Sequence, residues 1–311
     1  MKEFPFISVV IAVYNAERTM AKCLKSIIAQ NYPFDKYEII TVDDSSDDDT
    51  PKKIKSLMKK HDCIKYIRIP HSGYSMAEKI GMKMAKGDLI FLTNSDCYVP
   101  KNWFRRLMDG FDSEDIGGVG GGIKHVGDCY HFSWGRLYEN KKIQVYALAA
   151  FNSCFRRDVI SKIGFIDEKT QAEDVDLSLR VIMDGYKLIR DPFVLVEHDH
   201  PLHSSTNMIK KNFYYAKSLV STLKKHNYPP FFSLRFLLMS VAIFIFPFIL
   251  FPLALKELYI SRMLIKEYRG MIKKYNLKIP LLKLTFLRVL RLLTTLLGSF
   301  YYFIISTTGI G

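Results

Sequence analysis

The sequence predicts an α/β fold: a doubly wound, mixed and mostly parallel sheet with helices on both faces, continued by C-terminal membrane helices. Three observations carry this. Short apolar runs of strand length alternate with segments of helical spacing over the first 92 residues, the pattern of parallel strands joined by crossover helices. The run Leu89-Ile90-Phe91-Leu92 opens directly into Thr93-Asn94-Ser95-Asp96, polar residues at a strand's C-terminal end, where open α/β sheets hold ligands. From about residue 231 the composition becomes that of a membrane protein.

Taken in order, Ile7 to Val13 is rich in β-branched residues and reads as a buried first strand. Thr19 to Gln30 has helical spacing in Met20, Leu24, Ile27 and Ile28. Glu38 to Val42 is a second strand that ends in the acidic turn Asp43 to Asp49. Pro51 to Lys60 is a basic amphipathic helix, Ile64 to Ile69 a third strand, and Ser75 to Ala85 a helix with Gly87 as its C-cap. Leu89 to Leu92 is the fourth strand, and a helix begins near Trp103. Gly117 to Gly122 is either a backbone approach to a ligand or a flexible strand entry. Ala149 to Arg157 reads as a strand and loop, Gly164 to Asp167 as a turn, and Glu173 to Arg180 as the start of a helix. In that helix Leu177 and Val181 face the core and Asp176 pairs with Arg180 at i,i+4. Pro192 to Val196 is strand-like.

Charge narrows the partners. The chain carries +14, of which residues 231–311, with eleven Lys/Arg against two Glu, hold +9. The basic excess therefore sits on the apolar tail, which points to an anionic membrane surface and away from nucleic acid. Five cysteines without C-x-x-C spacing indicate a reduced cytosolic catalytic region without metal thiolates. Ile7 to Val13 is too short for a signal h-region. No G-x-G-x-x-G follows the first strand and no P-loop motif is present, which disfavours dinucleotide and P-loop chemistry. Asp96, on its loop, can either hold a divalent cation against a nucleotide diphosphate or help form an Asx turn before the next helix.

These motifs in this order resemble the family 2 glycosyltransferases of the GT-A fold, which are inverting enzymes that use nucleotide-sugar donors. The resemblance runs from Ile7 to about Tyr215. Val9 to Asn15 looks like the family's nucleobase-binding strand end, with Ala12 where a proline is usual, and implies nucleotide contacts at Ala12 and Tyr14. Val42 to Asp48 looks like its nucleotide-contacting turn and implies that Asp44 binds the base. Asn94-Ser95-Asp96 occupies the place of the D-x-D motif: Asp96 is implied as the principal metal ligand, and Asn94, lacking charge, is expected with Ser95 at the nucleotide. Glu173-Asp174 resembles the catalytic-base motif, and His198-Asp199-His200 the late metal-ligand region, with His198 expected on the metal and His200 nearer the acceptor. Lys79 stands near the family's missing helical arginine or asparagine as a phosphate contact. The cofactor implied is Mn²⁺ or Mg²⁺.

An inverting transfer to a hydroxyl needs a group to remove the hydroxyl proton, and a carboxylate in reach can do so. Asp174 is assigned that role; the structural alternative is that it caps its helix. No partner acid is required, because the metal stabilises the leaving diphosphate.

The tail contains two uncharged runs of spanning length, Phe236 to Leu255 and Leu292 to Gly311. Between them Lys256 to Lys283, with eight Lys/Arg, reads as an interfacial amphipathic helix. Two true spans would place that basic helix on the outer side, against the positive-inside bias. A first run broken at Pro247 and Pro252 into a re-entrant hairpin would keep it cytosolic. The expected organisation is a GT-A catalytic domain over residues 1–230, with a nucleotide-sugar half 1–100 and an acceptor half 101–230, and a membrane-anchoring region over 231–311. The expected activity is sugar transfer to a hydroxyl of a lipid-linked saccharide, on the cytoplasmic face of the cell membrane. Two alternatives stand beside it: a polyprenyl-phosphate sugar synthase, whose ionised acceptor needs no base, and an inactive nucleotide-sugar-binding partner in a membrane complex.

Overall fold

The structure, a computed structural model, describes residues 4–126, 141–167 and 172–199, with positions 218, 221, 222, 225 and 226. The chain divides into two compact units, 1–127 with 131–200, and 128–130 with 201–311. The first holds every strand and helix given below. The predicted spans 236–255 and 292–311, the basic helix 256–283 and His200 lie outside the described residues. Among the described residues no helix is long and apolar enough to cross a membrane.

Four parallel strands form the first half of the sheet: β1 (Ile7–Val13), β2 (Tyr37–Asp43), β3 (Ile64–Arg68) and β4 (Leu89–Leu92), in the order β3-β2-β1-β4. Successive side chains of a strand point to opposite faces, and here both faces are apolar. Val9, Ile11, Ile39 and Phe91 enter one core, and Val10, Ile40, Val42 and Ile90 the other. That double burial is why these strands read as continuous apolar runs.

Helices α1 (Met20–Ile28), α2 (Thr50–Met58) and α4 (Trp103–Met108) contribute Leu24, Ile27, Ile54, Trp103, Phe104 and Leu107 to the first core. Helices α3 (Tyr74–Met84), α5 (Arg157–Ile163) and α6 (Glu173–Met183) contribute Ala77, Met82, Ile160, Leu177 and Val181 to the second. In α3, a Cβ on Gly81 would come within 2.4 Å of Val10 Cγ1, so glycine lets the helix lie tightly on β1. The predicted ion pair in α6 forms: Arg180 Nε donates to Asp176 at 2.9 Å, and its other nitrogens donate to the carbonyls of Ile163, Gly164 and Phe165.

Gly87 is not a left-handed helix cap. Helix α3 ends in Ala85 with extended backbone, and a Cβ at Gly87 would lie 2.4 Å from Ser8 N. Its role is the close passage of two chain segments.

The second half of the sheet is mixed. β8 (Ser153–Arg156) pairs antiparallel with both β4 and β6 (Ile116–His125), and β6 runs parallel to β9 (Lys187–His198). β5 (Cys97–Tyr98) and β7 (Ile143–Val145) pair antiparallel with β9. Gly117 to Gly122 lies inside β6, and what approaches its backbone is the protein itself. A Cβ at Gly118 would meet the Phe155 ring at 2.7 Å, and one at Gly121 would meet Val194 O at 2.2 Å. The glycine run therefore serves sheet packing rather than ligand approach.

Candidate active site

The site forms where β1, β2 and β4 end. Beyond Leu92 the chain turns through Thr93 to Asp96, with the Cys97 N–H donating to Asn94 O at 3.1 Å. It then makes the two-residue strand β5, which sets Cys97 opposite His198 at the end of β9. The Asp199 N–H donates to Asp96 O at 2.8 Å and fixes the junction. Two residues 102 positions apart thereby meet, with His198 Nε2 3.1 Å from Asp96 Oδ1.

Asp96, Cys97 and His198 offer ligand atoms that all lie within 4.8 Å of one another, a group that could hold a divalent cation. Burial, followed by the charge of Asp96, drives the Cys97 thiol well above its usual range. The oxygen and nitrogen donors of the group are the Asp96 carboxylate and the His198 imidazole. Donors of this kind would suit Mn²⁺. Asp199 belongs to a different contact: its carboxylate accepts from Arg18 at 3.0 Å and Tyr98 Oη at 2.7 Å. Although burial opposes it, those bonds hold its carboxyl below the ordinary range.

At the ends of β1 and β2, Asn15 and Ser45 adopt positive φ of 47° and 65°, a strained conformation for residues with side chains and one that clusters at functional loops. Tyr14 is 49% exposed and its ring lies 4.7 Å from that of His71, tilted by 38°. His71 Nδ1 sits 2.9 Å from Asp44 Oδ2. Asp44 is buried, and its carboxylate accepts from the N–H groups of Ser72 at 2.6 Å and Gly73 at 2.9 Å. It fixes the loop that carries His71. Ala12 is 3% exposed, and its side chain packs in the core with Val42 and Leu92. Of the expected nucleotide contacts, Tyr14, Asn94 and Ser95 are at least partly exposed, whereas Ala12 and Asp44 are buried. Lys79 is partly buried on α3.

Asp174, at the start of α6, accepts from its neighbour Val175 N–H at 2.8 Å and from the Ala150 N–H. The turn Ala150 to Asn152 joins this carboxylate to the cation corner. Thr93 Oγ1 donates to Phe151 O at 3.0 Å, and the Phe151 ring stacks on His198 with centroids 5.6 Å apart. Asn152 anchors the turn: it accepts from Trp103 Nε1 at 2.8 Å and donates to Gly122 O at 2.7 Å and Val194 O at 2.8 Å. The structure thus gathers Asp96, His198 and Asp174, assigned from three separate motifs, around one short turn.

Burial raises the Asp174 carboxyl to about 6. Burial, with the neighbouring charge of Asp174, raises Glu173 to about 7. A third acid was not anticipated from sequence. Glu78 on α3 is 1% exposed, and burial followed by the charge of Glu173 raises it to about 8. Its only sequence signal is an acid beside Ala77 and three residues before Gly81, on the face of α3 that meets the sheet. Phe151 and Asn152 fall in the stretch Ala149 to Arg157 that resembles a strand and loop closing over the donor, but their individual roles depend on partners from α4, β6, β9 and the turn after β4.

The chain is similar to known glycosyltransferases. The sequence model of glycosyl transferase family 2 matches residues 8–164, and that of glycosyl transferase family group 2 matches residues 89–308. The protein named probable glycosyltransferase YdaM, from Bacillus subtilis, is 29% identical over 65% of this chain, which spans about half of it, 52%. Dolichyl N-acetyl-alpha-D-glucosaminyl phosphate 3-beta-D-2,3-diacetamido-2,3-dideoxy-beta-D-glucuronosyltransferase, from Methanococcus voltae, is 27% identical over 86% of this chain and 88% of its own length. Among solved structures, the mannosyltransferase PcManGT of Pyrobaculum calidifontis, in complex with GDP-Man and Mn²⁺, superposes with a TM-score of 0.65. It covers 96% of this chain and 88% of its own, at 17% identity, and shows the shared GT-A type of fold.

Proposed function

The chain belongs to glycosyl transferase family 2 and is a nucleotide-sugar-dependent glycosyltransferase; from that premise we propose that it transfers a sugar, with inversion, to a hydroxyl of a lipid-linked saccharide at the cytoplasmic face of the cell membrane. The observation that carries the chemistry is the gathering of Asp96, His198 and Asp174 around the turn at Phe151.

In this reading the nucleotide lies over the ends of β1 and β2, with its base near Tyr14 and His71 and its ribose within reach of Asn94 and Ser95. The Asp44 carboxylate acts on the base indirectly, by fixing the loop at Ser72 and Gly73. Asp96 and His198 would hold Mn²⁺ or Mg²⁺, which when bound would supply charge stabilisation to the departing diphosphate. The acceptor oxygen attacks the anomeric carbon as the bond from that carbon to the diphosphate breaks. The nucleoside diphosphate leaves with the electron pair, and the hydroxyl proton passes to the Asp174 carboxylate. A group near pH 6 is mostly ionised at neutrality yet basic enough to accept a proton as the new bond forms.

The lipid acceptor rests on two supports. The Methanococcus voltae relative, which matches over 86% of this chain, has a name that specifies a dolichyl-linked sugar. The uncharged runs 236–255 and 292–311 flank a basic segment suited to an anionic leaflet. A polyprenyl-phosphate acceptor, being ionised already, would leave Asp174 without a task.

The test is to assay the full chain in membranes with UDP-, GDP- and dTDP-sugars, with and without Mn²⁺, against a polyprenyl-linked saccharide, a polyprenyl phosphate and a short soluble glycan. Transfer to the lipid-linked saccharide that disappears in Asp96→Ala supports the proposal. Transfer only to the bare phosphate, or none with any donor, overturns it.

A further inference from the structure

Glu78 is a buried acid that the reaction above does not use. Its Oε1 lies 3.2 Å from Tyr74 Oη, and that hydroxyl lies 2.8 Å from Asn94 Oδ1. Its other oxygen, Oε2, is buried and has no hydrogen-bond partner among the described residues. Tyr74 is 37% exposed, and its hydroxyl bridges the acid and the loop. The titratable groups that face Glu78 are Tyr74 on its own helix and Glu173 and Asp174 at the start of α6.

A phenol has one proton to donate. If Glu78 were a carboxylate, it and the Asn94 carbonyl would compete for that proton, and the second contact would set two oxygens together with no hydrogen between them. If Glu78 carries its own proton, both contacts are satisfied: the acid donates to Tyr74 Oη, and Tyr74 donates to Asn94 Oδ1. Complete burial beside two further acids favours the neutral form.

Building on the donor-site assignment above, we infer that Glu78 is a positioning residue: as a neutral acid it turns the Tyr74 hydroxyl onto Asn94 and holds the Asn94 amide N–H groups toward the nucleotide. Loss of the Glu78 proton reverses the chain. The carboxylate takes the Tyr74 proton, the Asn94 carbonyl is left facing a lone pair, and the side chain turns or withdraws. With the acid held at about 8 by burial and by Glu173, this falls just above neutral pH and makes donor binding weaken under alkaline conditions. Gln in place of Glu78 also donates to Tyr74, but it does not titrate.

The experiment titrates UDP and GDP, each with Mn²⁺, into the full-length protein between pH 6.5 and 9.5 and compares Glu78→Gln and Tyr74→Phe. In the wild type the affinity of whichever nucleotide binds should fall about tenfold across that range, one hydrogen bond being lost. Glu78→Gln should match the wild type at pH 7 and stay level above it, and Tyr74→Phe should be weaker and level throughout. A ¹³C-labelled glutamate side-chain signal that titrates near pH 8 and is missing from Glu78→Gln supplies a readout independent of ligand. An alkaline decline equal in wild type and Glu78→Gln, or a Glu78 signal titrating below pH 6, overturns the inference while leaving the donor site intact. Failure of both nucleotides to bind at pH 7 overturns the donor site and this inference with it.

Discussion

The molecule holds two acidic clusters, one continuous in sequence and one assembled by the fold, and they behave as opposites. In the turn after β2 every carboxylate named here has partners that want its charge. Asp43 accepts from the Ser46 N–H at 2.9 Å and pairs with Arg68 at 3.3 Å, and Asp44 accepts two loop amides. Asp48 accepts the N–H groups of Glu17 at 3.0 Å and Thr50 at 2.9 Å, and despite partial burial these bonds hold it low. At the junction of α3 and α6, Glu78, Glu173 and Asp174 face one another instead, and burial lifts them to about 8, 7 and 6. The first cluster uses charge to fix backbone. The second keeps protons near neutral pH, where they can be exchanged. An acid's task is set by the balance between its burial among other acids and the N–H groups and cations that converge on it.

The largest effect expected from this contrast is on turnover. Asp174→Asn removes the proton acceptor but keeps size and most hydrogen bonding, so kcat should fall by about 10²-fold or more. Donor affinity and Tm should hold or, in the case of Tm, rise, since a buried charge is removed. Steady-state kinetics beside a melting curve check this. A variant with near-native kcat would mean that the acceptor arrives already ionised.

The next effect is on stability against pH, and the two clusters have opposite signs. Asp48 has a lowered pKa in the fold, so its contribution is present above the unfolded value and is lost as pH falls. Glu78, Glu173 and Asp174 have raised values. Their contribution is complete below the unfolded carboxyl range and is lost as pH rises through about 6 to 8. Stability should therefore peak near pH 5 and decline on the alkaline side. A tenfold change in a group's proton affinity between the unfolded and folded chain is worth about 1.4 kcal/mol, so Glu78 alone accounts for a decline on the order of a few kcal/mol. Melting curves from pH 4 to 9 should show Glu78→Gln gaining on the wild type above pH 7 and not at pH 5. Parallel curves would show the second cluster to be solvated, and the contrast would collapse.

Smaller again is the cost of breaking the first cluster. Asp44→Ala strips the acceptor from the Ser72 and Gly73 amides, a loss of about 1–3 kcal/mol for bonds to a charged group. It should lower Tm and raise the donor KM by loosening the loop that carries His71, while kcat at saturating donor changes little. A collapse of kcat with unchanged Tm would instead place Asp44 at the reacting atoms.

How much of this was legible follows from the range of the interactions. β1, β2 and β4 were readable because each is buried on both faces and so announces itself as an apolar run. The Asp176–Arg180 pair was readable because it is local. β5 was not, since two residues become a strand only through β9, a hundred positions later. β6 was half-readable: its glycines suggested a close approach, but the approaching groups come from Phe155, Asn152 and Val194. The resemblance named Asp44 and Asp174 as positions of interest, yet the residues around them say nothing of which would be saturated by amides. The amides that saturate Asp44 lie 28 and 29 residues away. Glu78 went unremarked because one acid on a helix resembles a solvated charge until the helix is set against the sheet and α6.

The smallest effect expected is at the point where the cation corner and the second cluster touch, and it separates two roles for Asn94. Aspartate there would restore the charge usual in the family's motif and would still offer an oxygen to the Tyr74 hydroxyl, so the 2.8 Å bond can persist. What it cannot do is donate. If Asn94 serves the nucleotide through its amide N–H groups, Asn94→Asp should weaken nucleotide binding without Mn²⁺ and recover most of it with Mn²⁺. The added charge lies close to Asp96 and favours the cation by less than about tenfold at a partly exposed position. The same charge stands near Glu78 across Tyr74 and makes that acid's ionisation harder, which moves the alkaline decline of binding to higher pH. Calorimetric titrations at pH 7 and 9, with and without Mn²⁺, separate these effects. Equal affinity of the two proteins in the absence of metal would remove the amide from the nucleotide's contacts and leave Asn94 as a spacer between Tyr74 and the cation corner.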